Sequence, residues 1–206
     1  MNIKLLAEKH NNYIIERRRF YHSIPELSFE EKRTTNELAE DLKKLGIEVE
    51  TFSDYPGLVG TIKGKKEGRT VMLRADIDAL PVEEHTGLPY ASCNGKMHAC
   101  GHDAHISMLL GAAKILLETK DELNGTVKLL FQAAEESCYG AKYYAEKGVL
   151  DGVDAVFGMH VWGTLDAPYF NLESGSRMAS VDNFKITVKG VSSHGSAPHL
   201  GKDAVV

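Results

Sequence analysis

The stretch Gly125-Thr126-Val127-Lys128-Leu129-Leu130-Phe131-Gln132 is an almost continuous apolar run with a single charge, Lys128. A strand with one wet face alternates apolar and polar residues, whereas a strand covered on both faces does not. The run therefore predicts a strand in the middle of a sheet with helices on both sides. Ala155-Val156-Phe157-Gly158-Met159-His160 has the same texture and predicts a second buried strand.

Working outward, residues 2–22 place Ile3, Leu6, Ala7, His10, Ile14, Ile15 and Phe20 at helical spacing, and Pro25 stops that helix. Ser28-Phe29-Glu30-Glu31 has the form of a capping box opening a helix that runs to Leu45 and ends at Gly46. Ile47 to Phe52 alternates with period two, as a half-buried strand does. Leu58–Lys63 and Thr70–Ala75, separated by the turn Gly64-Lys65-Lys66-Glu67-Gly68, predict a hairpin. Helices are expected over 103–118 and 139–147, the latter closing at Gly148. Strands alternating with helices in this way imply an α/β sandwich.

The composition excludes several functions. The net charge of −5 leaves no basic surface for nucleic acid or an anionic membrane. No apolar run reaches the roughly 18–20 residues a membrane span needs. The charged, amphipathic start Met1-Asn2-Ile3-Lys4-Leu5 is not a signal peptide. Three cysteines make no disulfide framework and point to a reducing compartment, with the cytoplasm expected. From about Ala179 the texture changes. Phe184–Gly190 is an amphipathic strand pattern, Val191–Gly201 a polar loop, and Lys202–Val206 the first turn of a helix, so the chain is expected to be a fragment cut inside a second domain.

The chemistry-bearing residues gather at strand ends. Asp76-Ile77-Asp78 follows one strand, and alternation puts both carboxylates on one side. Residues 95–105, Gly-Lys-Met-His-Ala-Cys-Gly-His-Asp-Ala-His, offer two ligand sets for a borderline-soft divalent metal. His98, His102 and His105 share a face if the segment is helical, whereas Cys100 and His102 converge if Gly101 turns it. Spacing alone leaves both open. Glu135 and Glu136 end the buried strand, where adjacent carboxylates need a compensating cation; as strand neighbours they should take different roles, one ligating and one activating water. His160 ends the other strand. His194 and His199 lie in the last polar loop, where a donor could reach a substrate carbonyl.

Together these segments resemble the aminoacylase family of metallopeptidases and amidohydrolases, and within it the N-acyl-amino-acid amidohydrolase branch that includes hippurate hydrolase. The matching stretches are His22–Leu27, Arg74–Pro81, Met97–His105, Phe131–Glu136, Gly158–His160 and Ser193–His199. The resemblance implies a three-layer α/β sandwich with a central mixed, mainly parallel sheet, of the zinc-peptidase kind, over residues 1–178. Residues 179–206 would begin a small α+β lid or dimerisation domain. It implies two divalent metal ions, zinc or manganese with cobalt possible, held by Cys100, His102, Glu136 and His160. Glu135 would be the general base and Asp78 the aspartate that orients the site. Asp76 matches a position where other branches carry a ligand histidine, and His194 matches the small-domain histidine that reaches the active site, in some relatives across a dimer. Ala133 departs from the proline of many relatives. Family members are also much longer, and the missing part supplies a last ligand histidine.

The expected activity is metal-dependent hydrolysis of N-acetyl or N-benzoyl amino acids to a carboxylate and a free amino acid. The expected partner is that small molecule, with a homodimer or higher homo-oligomer and neither nucleic acid nor membrane. Alternatives with the same machinery are a metallo-carboxypeptidase or dipeptidase and an N-acetyldiaminopimelate deacetylase. Of another class is an inactive fragment or non-catalytic metal-binding relative.

Overall fold

The computed structural model describes residues 2–205. Helix α1 (Ile3–His22) starts at Asn2, whose side chain accepts the Leu5 N–H, and is followed by α2 (Lys32–Lys44). Then come strands β1 (Glu48–Thr51), β2 (Leu58–Lys63) and β3 (Lys66–Asp76), and helix α3 (His102–Glu118). Strand β4 (Asn124–Gln132), helix α4 (Gly140–Glu146) and strand β5 (Ala155–Gly158) complete the larger unit. None of the described helices is long and apolar enough to cross a membrane.

The strands form one mixed sheet in the order β1-β2-β4-β3-β5. Two pairings, β1–β2 and β2–β4, are antiparallel; β3–β4 and β3–β5 are parallel. Strand β4 lies in the centre, as its near-continuous apolar run predicts. Successive side chains alternate between faces. Val127, Leu129 and Phe131 pack with Tyr21, Leu38, Leu42, Ile106 and Leu110 beneath the first three helices. Leu130 packs on the other face with Val59, Met72, Tyr144 and Val149. Both faces are thus covered, giving the α/β layering expected.

Five local expectations are corrected. Strands β2 and β3 are not a hairpin, because β4 lies between them. The glycine turn that joins them docks on β4 instead: the Gly64 N–H donates to Gly125 O (2.8 Å) and the Lys65 N–H to Leu123 O (3.0 Å). A hairpin would have left the most apolar strand with fewer neighbours. Ser28 does not cap α2, since its hydroxyl is spent on Asp78. The Glu26 carboxylate takes that role, accepting the Arg33 and Thr34 N–H groups at 3.1 and 2.7 Å. Strand β5 is not buried: it is an edge strand paired only with β3, and Val156 and Phe157 stay 51% and 60% exposed.

The remaining two concern the end of the chain. Contacts divide the molecule into Met1–Tyr169 and Phe170–Val206. In the second unit residues 184–190 form no strand, having no ladder partner, and no helix begins at Lys202. Lys202 instead pairs with Val191 through two backbone hydrogen bonds of 2.9 Å. So few residues cannot nucleate a helix without packing.

Candidate metal centre

The parallel half of the sheet positions the site. In register, Asp76 pairs with Gln132 and Arg74 with Gly158, so β3, β4 and β5 end at one edge. The residues just past those ends are Asp78, Glu135 with Glu136, and His160. Helix α3 starts at the same edge, and Gly101 turns the chain into it at φ +90°. A Cβ on Gly101 would come 2.4 Å from Val161 Cγ2, so both the turn and the close approach require glycine. Ligands of open α/β sheets bind at such strand ends.

Asp78 is an organiser. Its Oδ1 accepts the His102 Nδ1–H (3.2 Å), and its Oδ2 accepts the Ser28 hydroxyl (2.7 Å) and the Glu136 backbone N–H (2.9 Å). Burial opposes ionisation of Asp78, but these three donors and the His102 charge outweigh it and hold the carboxyl below its ordinary range. With Nδ1 fixed as donor, His102 turns Nε2 towards Asp76 Oδ2 (3.6 Å), Glu135 Oε2 (3.8 Å) and Glu136 Oε1 (3.8 Å). His102 is fully buried, and neither its Nε2 nor Glu136 Oε1 has a hydrogen-bond partner. On the other side Cys100 Sγ lies 3.4 Å from His160 Nε2. Three overlapping ligand clusters result among the described residues: Cys100–His102–His160, His102–Glu135–Glu136 and Asp76–His102–His105.

The electrostatics call for a cation. Burial and the Glu136, Glu135 and Asp76 carboxylates push the Cys100 thiol up to about 12. Burial raises Glu136 as well, against the pull of His102. Burial disfavours the charged form of His102, yet Asp78, Asp76 and Glu136 together raise its affinity for a proton. A divalent ion would relieve every one of these strains, and a histidine whose second nitrogen is held by a carboxylate is the usual form of a metal ligand. The residues fit the group.

The turn bearing the two glutamates is pinned from several directions. Glu31 accepts the Ala134 N–H (2.7 Å), Tyr144 accepts the Ala133 N–H (3.0 Å), and Ala134 takes a φ of +56°. Glu135 and Glu136 lie in a turn past the end of β4 and are not strand neighbours: both reach His102 Nε2 at 3.8 Å, with the Glu135 side chain 36% exposed and that of Glu136 21%.

Of the two ligand sets open in the sequence, the structure gathers the one with Cys100 and His102. His98 joins none of the clusters; it is buried, and burial lowers it to about 4. Asp76 is buried at the same edge, bound to His105 and to Arg74. His194 lies in the second unit, exposed, with Nδ1 2.9 Å from Ser196 Oγ. All three cysteines are free thiols. Sequence patterning missed Ser28, Arg74 and Glu31, which support the site from far along the chain. It also missed a buried ion network behind Met97–His105: His22 bridges Asp103 (2.7 Å) and Glu84 (3.0 Å), and Arg18 Nε joins Asp103 at 2.9 Å.

The chain is 50% identical over 198 residues to thermostable carboxypeptidase 1 of Saccharolobus solfataricus, covering 94% of this chain and 50% of that protein. It is 47% identical over 190 residues to N-acetyl-L-cysteine deacetylase of Bacillus subtilis, covering 92% and 46%. The chain thus spans about half the length of the curated relatives it matches. Among solved structures it superposes on a dinuclear metal binding peptidase of the M20 family from Bacillus subtilis, with TM-score 0.74 and 44% identity over 77% of this chain and 45% of that one. The model of peptidase family M20/M25/M40 matches residues 72–200, well over half the sequence and most of the site. The chain belongs to peptidase family M20/M25/M40.

Proposed function

We propose that this chain carries the catalytic half-site of a metal-dependent amidohydrolase that cleaves N-acyl amino acids, of N-acetyl or N-benzoyl type, into a carboxylate and a free amino acid. The observation that carries the proposal is the buried His102 Nε2, oriented by Asp78 and ringed by carboxylates with no partner of its own. Cys100, His102, Glu136 and His160 are the residues that would hold two divalent ions, zinc or manganese with cobalt as an alternative. Such ions supply Lewis acidity towards the amide carbonyl and lower the pKa of water. Glu135, the more exposed of the pair, takes the proton from the attacking water and returns it to the departing amine nitrogen. Asp78 keeps His102 and the Glu136 backbone in place throughout. Asp76 supports the same edge from beneath. His194 is assigned as a donor to the substrate carbonyl, supplied by a small lid or dimerisation domain that begins at 179, with residues 1–178 as the catalytic domain. A homodimer, a small-molecule substrate and a cytoplasmic setting complete the proposal.

A second reading, a metallo-carboxypeptidase, is favoured by one observation, the 50% identity to a relative of that name. Both reactions use the same residues and differ in the pocket for the acyl side. The test is a panel of N-acetyl, N-benzoyl and peptide substrates on the protein extended to the full length of its relatives, with metal analysis. Metal-dependent release of amino acid from the N-acyl compounds is expected. Release only from peptides would move the assignment to the carboxypeptidase, and no metal-dependent release from any substrate would remove the enzyme reading.

A further inference from the structure

His105 is the cluster histidine to which the proposed chemistry gives no task. It is 3% exposed, and both of its ring nitrogens are engaged. Nδ1 lies 2.5 Å from Asp76 Oδ1, and Nε2 accepts the backbone N–H of Val161 at 2.9 Å. A neutral imidazole donates from one nitrogen and accepts at the other, and an amide N–H can only be accepted. Asp76 therefore fixes the tautomer by taking the Nδ1–H. Asp76 is in turn held through Oδ2 by Arg74 Nη1 (2.7 Å), whose Nε donates to Gln132 Oε1 (3.0 Å). This chain of contacts starts on the central sheet and ends on one amide.

That amide is the one directly after His160. Strand β5 ends at Gly158, so the sheet ladder no longer holds the backbone there. The His160 ring packs edge-on against His105 with centroids 4.7 Å apart, and its Nδ1 is turned back to Val161 O, which leaves Nε2 facing Cys100.

We infer that His105 is a positioning residue: with its tautomer set by Asp76, it holds the Val161 amide and so aims His160 Nε2 at the Cys100 side of the metal centre. This rests on the proposed metal centre. It also removes the Asp76–His102–His105 cluster as a metal set, since His105 has no lone pair to offer. Asp76 then works through His105 and makes no contact with substrate.

The two amide isosteres of histidine separate this role from mere packing. Asparagine reaches only the Nδ1 position, so His105→Asn keeps a donor for Asp76 and loses the acceptor for Val161. Glutamine reaches the Nε2 position, so His105→Gln restores that acceptor. The experiment is titration of the metal-free protein with Co²⁺ alone, reading stoichiometry and the thiolate-to-cobalt absorption that reports Cys100. Loss of a supporting contact behind a ligand typically costs 10–100-fold in metal affinity, and about that weakening is expected for His105→Asn. His105→Gln is expected to bind close to the wild type. Wild-type affinity in His105→Asn, or equal weakening in both variants, would overturn the inference while leaving the metal centre standing. A wild-type protein that binds no Co²⁺ would instead overturn the metal centre itself.

Discussion

Two buried clusters of charge lie back to back at the start of α3, and they are balanced differently. Behind the helix, His22 and Arg18 face Asp103 and Glu84, two cations against two anions. In front, Asp76, Asp78, Glu135 and Glu136 crowd His102, with Arg74 as the one permanent cation in contact among the described residues. The rear cluster balances its own charge, although the buried Asp103 Oδ1 has no hydrogen-bond partner. His22 meets a carboxylate at each nitrogen, so both donate and the ring is the imidazolium, its pKa raised chiefly by the Asp103 hydrogen bond against the cost of burial. The front cluster leaves a buried imidazole nitrogen and a buried carboxylate oxygen unpaired. A buried charge cluster lacking a counter-charge is costly to keep. The contrast separates a network that braces the fold from one arranged to receive a cation.

The contrast breaks if substitutions in the two clusters have interchangeable effects. In front, Glu135→Ala is expected to lower kcat by about 10²–10⁴-fold, the usual contribution of a general base, with metal content unchanged. Cys100→Ala is expected to lose metal. Steady-state kinetics beside metal analysis checks both, and a Glu135→Ala enzyme with normal turnover would end that residue's assignment. Behind, His22→Ala is expected to cost about 3 kcal/mol in urea unfolding, the low end for breaking a buried pair, because Arg18 stays with Asp103. Its metal stoichiometry should not change. Loss of metal without loss of stability would place His22 in the front cluster.

How much of this was legible depended on whether the signal was local. Cys100, His102, Glu135, Glu136 and His160 are ligand-type residues at the ends of apolar strands, and both features can be read within a few positions. The layering was legible for the same reason: the run Leu129-Leu130-Phe131 is apolar on both faces, so β4 had to be covered on both sides. The hairpin expectation failed because Gly64–Gly68 signals a turn but not which strand receives it, and β4 arrives from much later in the chain. Ser28 to Asp78 spans 50 residues, His22 to Asp103 spans 81 and Glu31 to Ala134 spans 103. No periodicity encodes such pairs. Ser28 has the sequence form of a helix cap because a serine three residues before a glutamate carries that meaning whatever its hydroxyl finds in the fold.

Glu31 sharpens the contrast from between the clusters, because it is a buried acid that belongs to neither. Its side chain accepts the Ala134 N–H through Oε1, while Oε2 is buried without a partner. Burial, only partly offset by the Glu31 and Ala134 backbone N–H groups, lifts the acid from 4.5 to about 7. The folded pKa is raised, so the stability linked to this group is fully present below the unfolded value near 4.5. It is lost progressively as pH rises through about 7. Folding should therefore take up a proton between those values, and the unfolding free energy should slope downward across that window. Glu31→Gln keeps the acceptor for Ala134 and cannot ionise, so it is expected to flatten the slope and to be the more stable form above pH 7. The whole shift, from 4.5 to about 7, corresponds to a few kcal/mol at about 1.4 kcal/mol per pH unit, so the effect is of the same order as that of His22. Urea unfolding at pH 5, 6, 7 and 8 on both proteins measures it. Parallel profiles would mean that Glu31 is ionised in the folded protein and paired with a cation, which would extend the metal-receiving cluster to the turn at Ala134.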